Sequence, residues 1–273
     1  MPSHNSISPA ALAARIGLPD APVLIDVRID EDFAADPRLV PGARRWPFSE
    51  TAGLAAIARG RATVIICHRG LKLSEGAAAM LRLAGIPTLS LEGGFVGWAE
   101  AGLPLVPVAE LPERRADGAT LWVTRERPKI DRIACPWLIR RFVDPDARFM
   151  FVRASETIAV AEKFGATPFD VEGVRWSHVG PDCTFDTMVR AFGLRIPALD
   201  RLARIVCGAD TANLDLAPQS AGLLAISLGL SRMVEDDLAQ LEAGMLIYDA
   251  LYRWCRDGVA ETHNWPVRSG GGQ

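Results

Sequence analysis

Short apolar segments alternate with helix-like segments in the first part of the chain, and this alternation constrains the fold more than any other feature. Strands are predicted at residues 23–27, 64–66 and 88–91, and a helix is predicted at residues 77–83. Strands that alternate with helices are typical of a parallel sheet whose faces are covered by helices. We therefore expect an α/β domain with a parallel sheet and flanking helices over residues 1–110.

The alternation stops at a segment rich in proline, glycine and charged residues, which is typical of a linker. We place the linker at residues 111–119, and the chain length of 273 residues fits two domains of about 150 residues each. Beyond the linker, strands are predicted at residues 120–124 and 148–152, and helices dominate afterwards. The second domain, residues 120–263, is therefore predicted to be a mostly helical α+β domain, followed by a flexible tail at residues 264–273.

Two helices of the second half carry apolar residues at helical spacing, which predicts a buried face on each helix. The predicted core positions are Leu199, Leu202, Ile205 and Val206 on one helix, and Leu238, Leu241, Met245 and Tyr252 on the other. A further helix is predicted to start near Pro136, because proline fits the first turn of a helix. Cys135 is then either a second reactive thiol or, as we prefer, a core residue packed against Trp137.

The net charge of −3 and the isoelectric point near 5.9 argue against a nucleic-acid partner, because non-specific binding to nucleic acid needs a positive field. No run of about 18 uninterrupted apolar residues occurs, and the N-terminus lacks a basic region followed by an apolar core. We therefore expect no membrane segment and a cytoplasmic protein. The five cysteines lack paired spacing, so no disulfide framework is predicted, and the sequence predicts no particular oligomeric state.

Cys67 is the strongest candidate for a chemically active residue. It closes the apolar run at residues 62–66 and is followed by a short loop and a predicted helix. A thiol above a helix N-terminus faces amide donors and the positive end of the helix dipole. Nearby Arg69 and Lys72 are expected to lower the pKa of the thiol from its free value of about 8.5 and to attract an anion. The pattern predicts a nucleophilic cysteine, and the alternative is a buried structural cysteine.

Four segments of the first half resemble the rhodanese-like sulfurtransferases: residues 24–28, 40–43, 67–72 and 92–98. The resemblance implies that Cys67 takes a sulfane sulfur as a persulfide, cradled by the backbone amides of the following loop. The substrate-binding residues of this loop would be His68, Gly70 and Leu71, and the donor anion would be bound by Arg69 and Lys72.

The same resemblance places Asp26 and Arg28 at the end of the central strand, where they would position the loop; a structural ion pair is the alternative. His68 could tune the thiol or face the solvent, since its position next to Cys67 does not fix the direction of the ring. A small anionic sulfur donor such as thiosulfate and a thiol or cyanide acceptor are implied as partners. Sulfur transfer of this kind would require no cofactor.

The second half, residues 119–257, resembles the C-terminal domain of chromate-resistance proteins of the ChrB type. The segments that carry the resemblance are residues 131–142, 165–170, 178–186, 221–230 and 241–252. The resemblance implies a link with the response to chromate or with its detoxification, but it implies no particular molecular activity. Relatives of full length carry a different N-terminal half, so a DNA-binding role is not transferred to this chain.

Two hypotheses address the site of the second half, and the first is an oxyanion site. Guanidinium groups match tetrahedral oxyanions such as chromate or sulfate. The candidate cations lie within 17 residues of one another: Arg125, Arg127, Lys129, Arg132, Arg140 and Arg141. The alternative is that most of them pair with neighbouring acidic residues, namely Glu126, Asp131, Asp144 and Asp146. On the oxyanion hypothesis the protein is a non-enzymatic sensor in which Cys67 reports thiol stress.

The second hypothesis is a metal ion held by imidazole, thiolate and carboxylate groups, a set that suits zinc or iron. The candidate ligands are His178, Asp182, Cys183 and Asp186, with Asp170, Glu242 and Asp249 arriving from elsewhere in the chain. The alternative is a turn in which Asp182 or Thr184 caps a helix at residues 184–192 and Cys183 is buried. A metal-dependent activity of the second domain is therefore one of the functions that the sequence leaves open.

Overall fold

The computed structural model describes residues 4–262, and its first domain contains a five-stranded parallel sheet and a small antiparallel pair of strands. The strands are β1 (Ser6–Ile7), β2 (Val23–Asp26), β3 (Arg38–Leu39), β4 (Ala43–Arg45), β5 (Thr63–Ile66), β6 (Thr88–Leu91) and β7 (Val106–Pro107). The helices are α1 (Pro9–Ala13), α2 (Asp30–Ala35), α3 (Thr51–Ala58), α4 (Lys72–Leu83) and α5 (Gly94–Glu100). The predicted α/β class of this domain is confirmed.

The strand order of the large sheet is β1-β6-β5-β2-β4, and every neighbouring pair is parallel. Strand β5 lies in the middle, and all its residues are buried, as expected for an apolar strand covered by helices on both faces. Strands β3 and β7 pair antiparallel outside this sheet. Because parallel strands end at the same edge, the segments that follow β2, β4 and β5 meet at one side of the domain.

The second domain is mostly helical and has a small parallel sheet in the order β10-β8-β9, as predicted for its class. Its strands are β8 (Leu121–Arg125), β9 (Arg148–Val152) and β10 (Thr167–Pro168). Its helices are α6 (Asp131–Phe142), α7 (Thr157–Phe164), α8 (Thr184–Ala191), α9 (Pro197–Asp210), α10 (Ser220–Met233) and α11 (Asp237–Arg253). Within residues 4–262, no helix is both long and apolar enough to cross a membrane.

Two predictions about these helices are wrong. Helix α6 begins at Asp131, so Pro136 lies in its interior rather than in its first turn. Most of α6 is buried, and this packing compensates for the backbone hydrogen bond that proline cannot donate. Leu238 was predicted to be buried but is 50% exposed, because it lies off the buried face of α11. That face includes Gln240, whose side chain donates a hydrogen bond to the carbonyl oxygen of Pro128. The other predicted core positions of α9 and α11 are buried.

The two domains share one hydrophobic core, and Phe142 at the end of α6 is the clearest link between them. Its ring is fully buried in a cluster that also contains Leu12 and Leu24 of the first domain. The amide of Gly42 donates a hydrogen bond of 2.6 Å to the carbonyl oxygen of Phe142. At Gly17, where φ is +84°, a Cβ atom would overlap the Phe142 ring. The first domain therefore packs directly on α6, and the tail predicted at residues 264–273 lies outside the described residues.

Candidate functional site

Cys67 lies where the central strand of the large sheet ends and the loop to α4 begins. Its residue exposure is 4%, and it belongs to an apolar cluster with Ile25, Val27 and Leu54. The edge at which parallel strands end is the usual place for ligands in open α/β sheets. The sulfur is therefore near the ligand-binding edge of the sheet, but it is deeply set.

Ser74 is the closest polar partner of the thiol. Its Oγ lies 3.1 Å from the Sγ of Cys67, and the same hydroxyl is 3.1 Å from the carbonyl oxygen of Leu71. Ser74 is fully buried in the first turn of α4, where the helix dipole favours a negative charge. The hydroxyl proton is donated to the Leu71 carbonyl here, and rotation of the hydroxyl would let it donate to a thiolate or a persulfide anion instead. The sequence reasoning missed Ser74, although its place in the first turn after the loop was a usable signal.

The loop after Cys67 is held by the first turn of α5. The amide of Phe95 donates to the carbonyl oxygen of Cys67 at 2.9 Å, and the amide of Val96 donates to that of His68 at 3.0 Å. Gly70 and Gly94 both have positive φ angles, +70° and +60°, and their backbones touch. A Cβ atom at Gly94 would overlap the carbonyl oxygen of Cys67 and the amide nitrogen of Gly70. The conformation of the loop therefore depends on glycine at this contact.

Replacing Gly94 by alanine should reduce sulfurtransferase activity at least about tenfold, because the added methyl group displaces the backbone that carries Cys67. Gly85→Ala is a matched control, since Gly85 has a φ of +77° but nothing within 4 Å of an added Cβ. It should cost about 1–2 kcal/mol of stability through backbone strain and leave activity unchanged. Initial rates of thiocyanate formation by the two folded variants test this, and equal rates would contradict it.

The two cations predicted to bind the donor, Arg69 and Lys72, are both exposed. Neither takes part in an ion pair among residues 4–262, so both charges are available to an anion in solution. His68 is half-buried, and its Nδ1 has no hydrogen-bond partner within the described residues. Leu71 is 59% exposed and contributes its carbonyl oxygen to Ser74.

Asp26 and Arg28 form a buried ion pair, with 2.7 Å between the Asp26 Oδ2 and an Arg28 guanidinium nitrogen. Arg28 also donates to the carbonyl oxygens of Asp36 at 3.0 Å and Arg38 at 2.6 Å. Its guanidinium lies 3.7 Å from the centre of the Phe95 ring. The donors of Arg28 are thus used within the fold, which agrees with a structural ion pair rather than with a substrate-binding role.

Four of the five arginines predicted to form an oxyanion site contact carboxylates, and these contacts lie in two places. The pairs are Arg125 and Arg132 with Asp170, Arg140 with Glu242, and Arg141 with Asp249. Arg127 donates to backbone carbonyl oxygens at the end of α10 and beyond. The structure does not bring these cations together. It pairs four of them with carboxylates, but these are Asp170, Glu242 and Asp249 rather than the neighbouring acidic residues that the alternative named.

The residues predicted as metal ligands are also separated in part. His178 and Asp170 lie together, with 3.5 Å between Nε2 and Oδ1. Asp182 accepts a hydrogen bond from Arg190, and Glu242 pairs with Arg140. Cys183 is fully buried and lies in a separate group with Asp186 and Cys207. Burial raises the pKa of the Cys183 thiol, and burial also raises the pKa of Cys135 inside α6, so both remain protonated.

The structure adds two carboxylates to His178 that sequence reasoning did not propose as ligands. Its Nε2 lies 3.2 Å from the Oδ2 of Asp210 and 3.7 Å from the Oδ2 of Asp131. Asp131 also caps α8, because its Oδ2 accepts the amide of Thr184 at 2.6 Å, so the predicted caps Asp182 and Thr184 are wrong. No local signal marked Asp131 in the sequence, since it stands between the charged residues Lys129 and Arg132.

Comparisons with known proteins match the two halves separately. Residues 8–101 match the family model of the rhodanese-like domain, and residues 122–255 match that of the ChrB C-terminal domain. Protein ChrB of Cupriavidus metallidurans is 32% identical over 132 residues, which are 48% of this chain and 39% of that protein. A sulfurtransferase of Allochromatium vinosum is 27% identical over 103 residues, which are 37% of this chain and 94% of that protein.

A crystal structure of a rhodanese-related protein from Thermoplasma volcanium is 27% identical to this chain, with a TM-score of 0.33. The match covers 38% of this chain and 98% of that one. The chain thus spans well under half the length of the ChrB relative and nearly all of the Allochromatium sulfurtransferase. The chain contains a rhodanese-like domain at residues 8–101, joined to a ChrB C-terminal domain at residues 122–255.

Proposed function

We propose that the first domain is a sulfurtransferase that carries sulfane sulfur as a persulfide on Cys67. The observation that carries this proposal is the position of the thiol at the N-terminus of α4, with its Sγ 3.1 Å from the Oγ of Ser74. Two exposed cations, Arg69 on the loop and Lys72 at the start of α4, favour an anionic donor. The Allochromatium relative named a sulfurtransferase, which this chain covers almost completely, supports the same class.

In the first half of the reaction, the Cys67 thiolate attacks the outer sulfur of thiosulfate. A bond forms between the two sulfurs, the bond between the outer and the central sulfur of thiosulfate breaks, and sulfite leaves with the bonding electron pair. The persulfide keeps one negative charge, which the α4 dipole and the Ser74 hydroxyl stabilise. No proton is consumed in this step.

In the second half, cyanide or a thiolate attacks the outer sulfur of the persulfide. With cyanide, a carbon–sulfur bond forms, the sulfur–sulfur bond breaks, and thiocyanate leaves while the Cys67 thiolate is regenerated. The sulfur is transferred without net oxidation or reduction of the protein, so the cycle needs no cofactor. The 4% exposure of Cys67 favours small donors and acceptors over bulky ones.

The match to the ChrB C-terminal domain supports a role of this chemistry in the response to chromate or a related oxyanion. An oxyanion sensor without turnover is the competing class. It has less support, because four of the five arginines proposed for it contact carboxylates, as Arg140 contacts Glu242.

Steady-state kinetics with thiosulfate and cyanide test the proposal on the full chain. A persulfide intermediate predicts ping-pong kinetics, that is, parallel lines in double-reciprocal plots at several cyanide concentrations. Intersecting lines would contradict a sulfur-carrying enzyme form. Thiocyanate formation no faster than without protein would favour the sensor class.

A further inference from the structure

We propose that the second domain binds one divalent transition-metal ion through Asp131, Asp170 and His178, with Asp210 as a fourth ligand. The site combines residues from four separate segments: the start of α6, the segment after β10, the loop before α8 and the end of α9. One ligand atom from each of Asp131, Asp170 and His178 lies within 4.8 Å of the others. This proposed metal site is independent of the sulfur chemistry proposed for the first domain.

The spacing of the ligand atoms fits a shared ion. The Nε2 of His178 lies 3.2 Å from Asp210, 3.5 Å from Asp170 and 3.7 Å from Asp131, measured to carboxylate oxygens. Two ligand atoms that are each about 2.1 Å from one ion lie roughly 3.0–3.4 Å apart in octahedral or tetrahedral geometry. Small adjustments of these side chains would therefore suffice to bind a metal.

Asp131 supplies a second, independent observation. This carboxylate is fully buried, and its Oδ1 has no hydrogen-bond partner within residues 4–262. A buried carboxylate oxygen without a partner is costly, since burial removes the hydration of the charge. The other oxygen, Oδ2, already accepts the amide of Thr184 and faces His178. A cation held by both oxygens of Asp131 would satisfy the atom that the fold leaves without a partner.

The charges around the site also call for a cation. Three carboxylates converge on His178, and two of them, Asp131 and Asp170, are 0% and 7% exposed. Arg125 and Arg132 contact Asp170 and offset part of this negative charge. A divalent ion would offset the negative charge that remains.

The ligand set indicates the class of metal. Carboxylates suit Mn²⁺, and imidazole suits first-row ions such as Fe²⁺ and Zn²⁺, so a mixed set favours these over Mg²⁺ or Ca²⁺. The Thr184 hydroxyl donates to Asp170 Oδ1 at 3.0 Å and would orient that ligand. The side chain of His178 is 40% exposed and that of Asp210 is 20% exposed. The site is thus open to solvent on one side, as in metal sites that keep a coordination position for a small molecule.

Titration of the full-length, EDTA-treated protein with Mn²⁺ tests the proposal, with free Mn²⁺ followed by electron paramagnetic resonance. We expect one ion per chain. His178→Ala and Asp210→Asn should weaken binding at least about tenfold, because each removes a ligand. Asp182→Asn is the matched control, since Asp182 lies in the same segment but pairs with Arg190. Its affinity should stay within about twofold of that of the unmodified chain.

Thermal unfolding provides a second readout that does not depend on activity. Mn²⁺ should raise the Tm of the unmodified chain and of Asp182→Asn, but not that of His178→Ala. Absence of Mn²⁺ and Zn²⁺ binding to the unmodified chain would overturn the proposal. Equal affinity in all four proteins would equally overturn it, and binding of Mg²⁺ alone would overturn the assigned metal class.

Discussion

Replacing Cys67 by serine should reduce thiocyanate formation by about a thousandfold or more. The serine hydroxyl is not ionised at neutral pH and cannot form a persulfide, so the covalent route is lost altogether. The residue is a close steric match for cysteine and would sit beside the Ser74 hydroxyl without a large change in volume. Initial rates with saturating thiosulfate and cyanide measure the effect.

Cys207→Ser is the matched control for this experiment. Cys207 has the same 4% exposure as Cys67, but it lies on α9 in the second domain, where its Sγ is 3.6 Å from the carbonyl oxygen of Pro181. Its replacement should leave the rate within about twofold of the unmodified chain. Retention of activity by a folded Cys67→Ser protein would remove Cys67 from the mechanism.

Replacing Phe142 by alanine should lower the free energy of unfolding by about 3–5 kcal/mol, the usual cost of removing a fully buried aromatic ring. The ring contacts Trp137 and Tyr252, with centroid distances of 5.8 and 5.5 Å, and it packs beside Gly17 of the first domain. Because the core is shared, both domains should lose stability. Urea unfolding followed by circular dichroism and tryptophan fluorescence measures the change.

Phe164→Ala is the control for stability, since Phe164 is 60% exposed at the end of α7. Its replacement should change the free energy of unfolding by no more than about 0.5 kcal/mol. A destabilisation by Phe142→Ala confined to the signals of the second domain would contradict the shared core. A loss of unfolding free energy in Phe142→Ala as small as that in Phe164→Ala would contradict the shared core too.

The parts of the fold that depend on local patterns could be predicted from the sequence. The apolar residues of β5 and the alternation around it were enough to identify the parallel sheet, and the stripe of α9 identified its buried face. Pro136 was misleading, because the preference of proline for a first turn is a local rule. In α6, burial on most sides outweighs that rule, and burial is a property of the whole fold.

The two candidate sites also differ in how far each could be predicted from the sequence. The Cys67 loop is contiguous, and even Ser74, which was missed, is only seven residues away. The cluster around His178 draws on segments that are distant in sequence, so neither Asp131 nor Asp210 could be selected without the fold. The burial of one Asp131 oxygen without a partner is likewise visible only in the three-dimensional structure.

Mass spectrometry of the thiosulfate-treated protein, digested under conditions that preserve persulfides, tests the central claim most directly. The account predicts one additional sulfur atom on the peptide that contains Cys67, and its loss when cyanide is added before digestion. The other four cysteines, all buried, should carry none. Sulfur on one of those cysteines, or a Cys67 peptide of unchanged mass, would contradict the account.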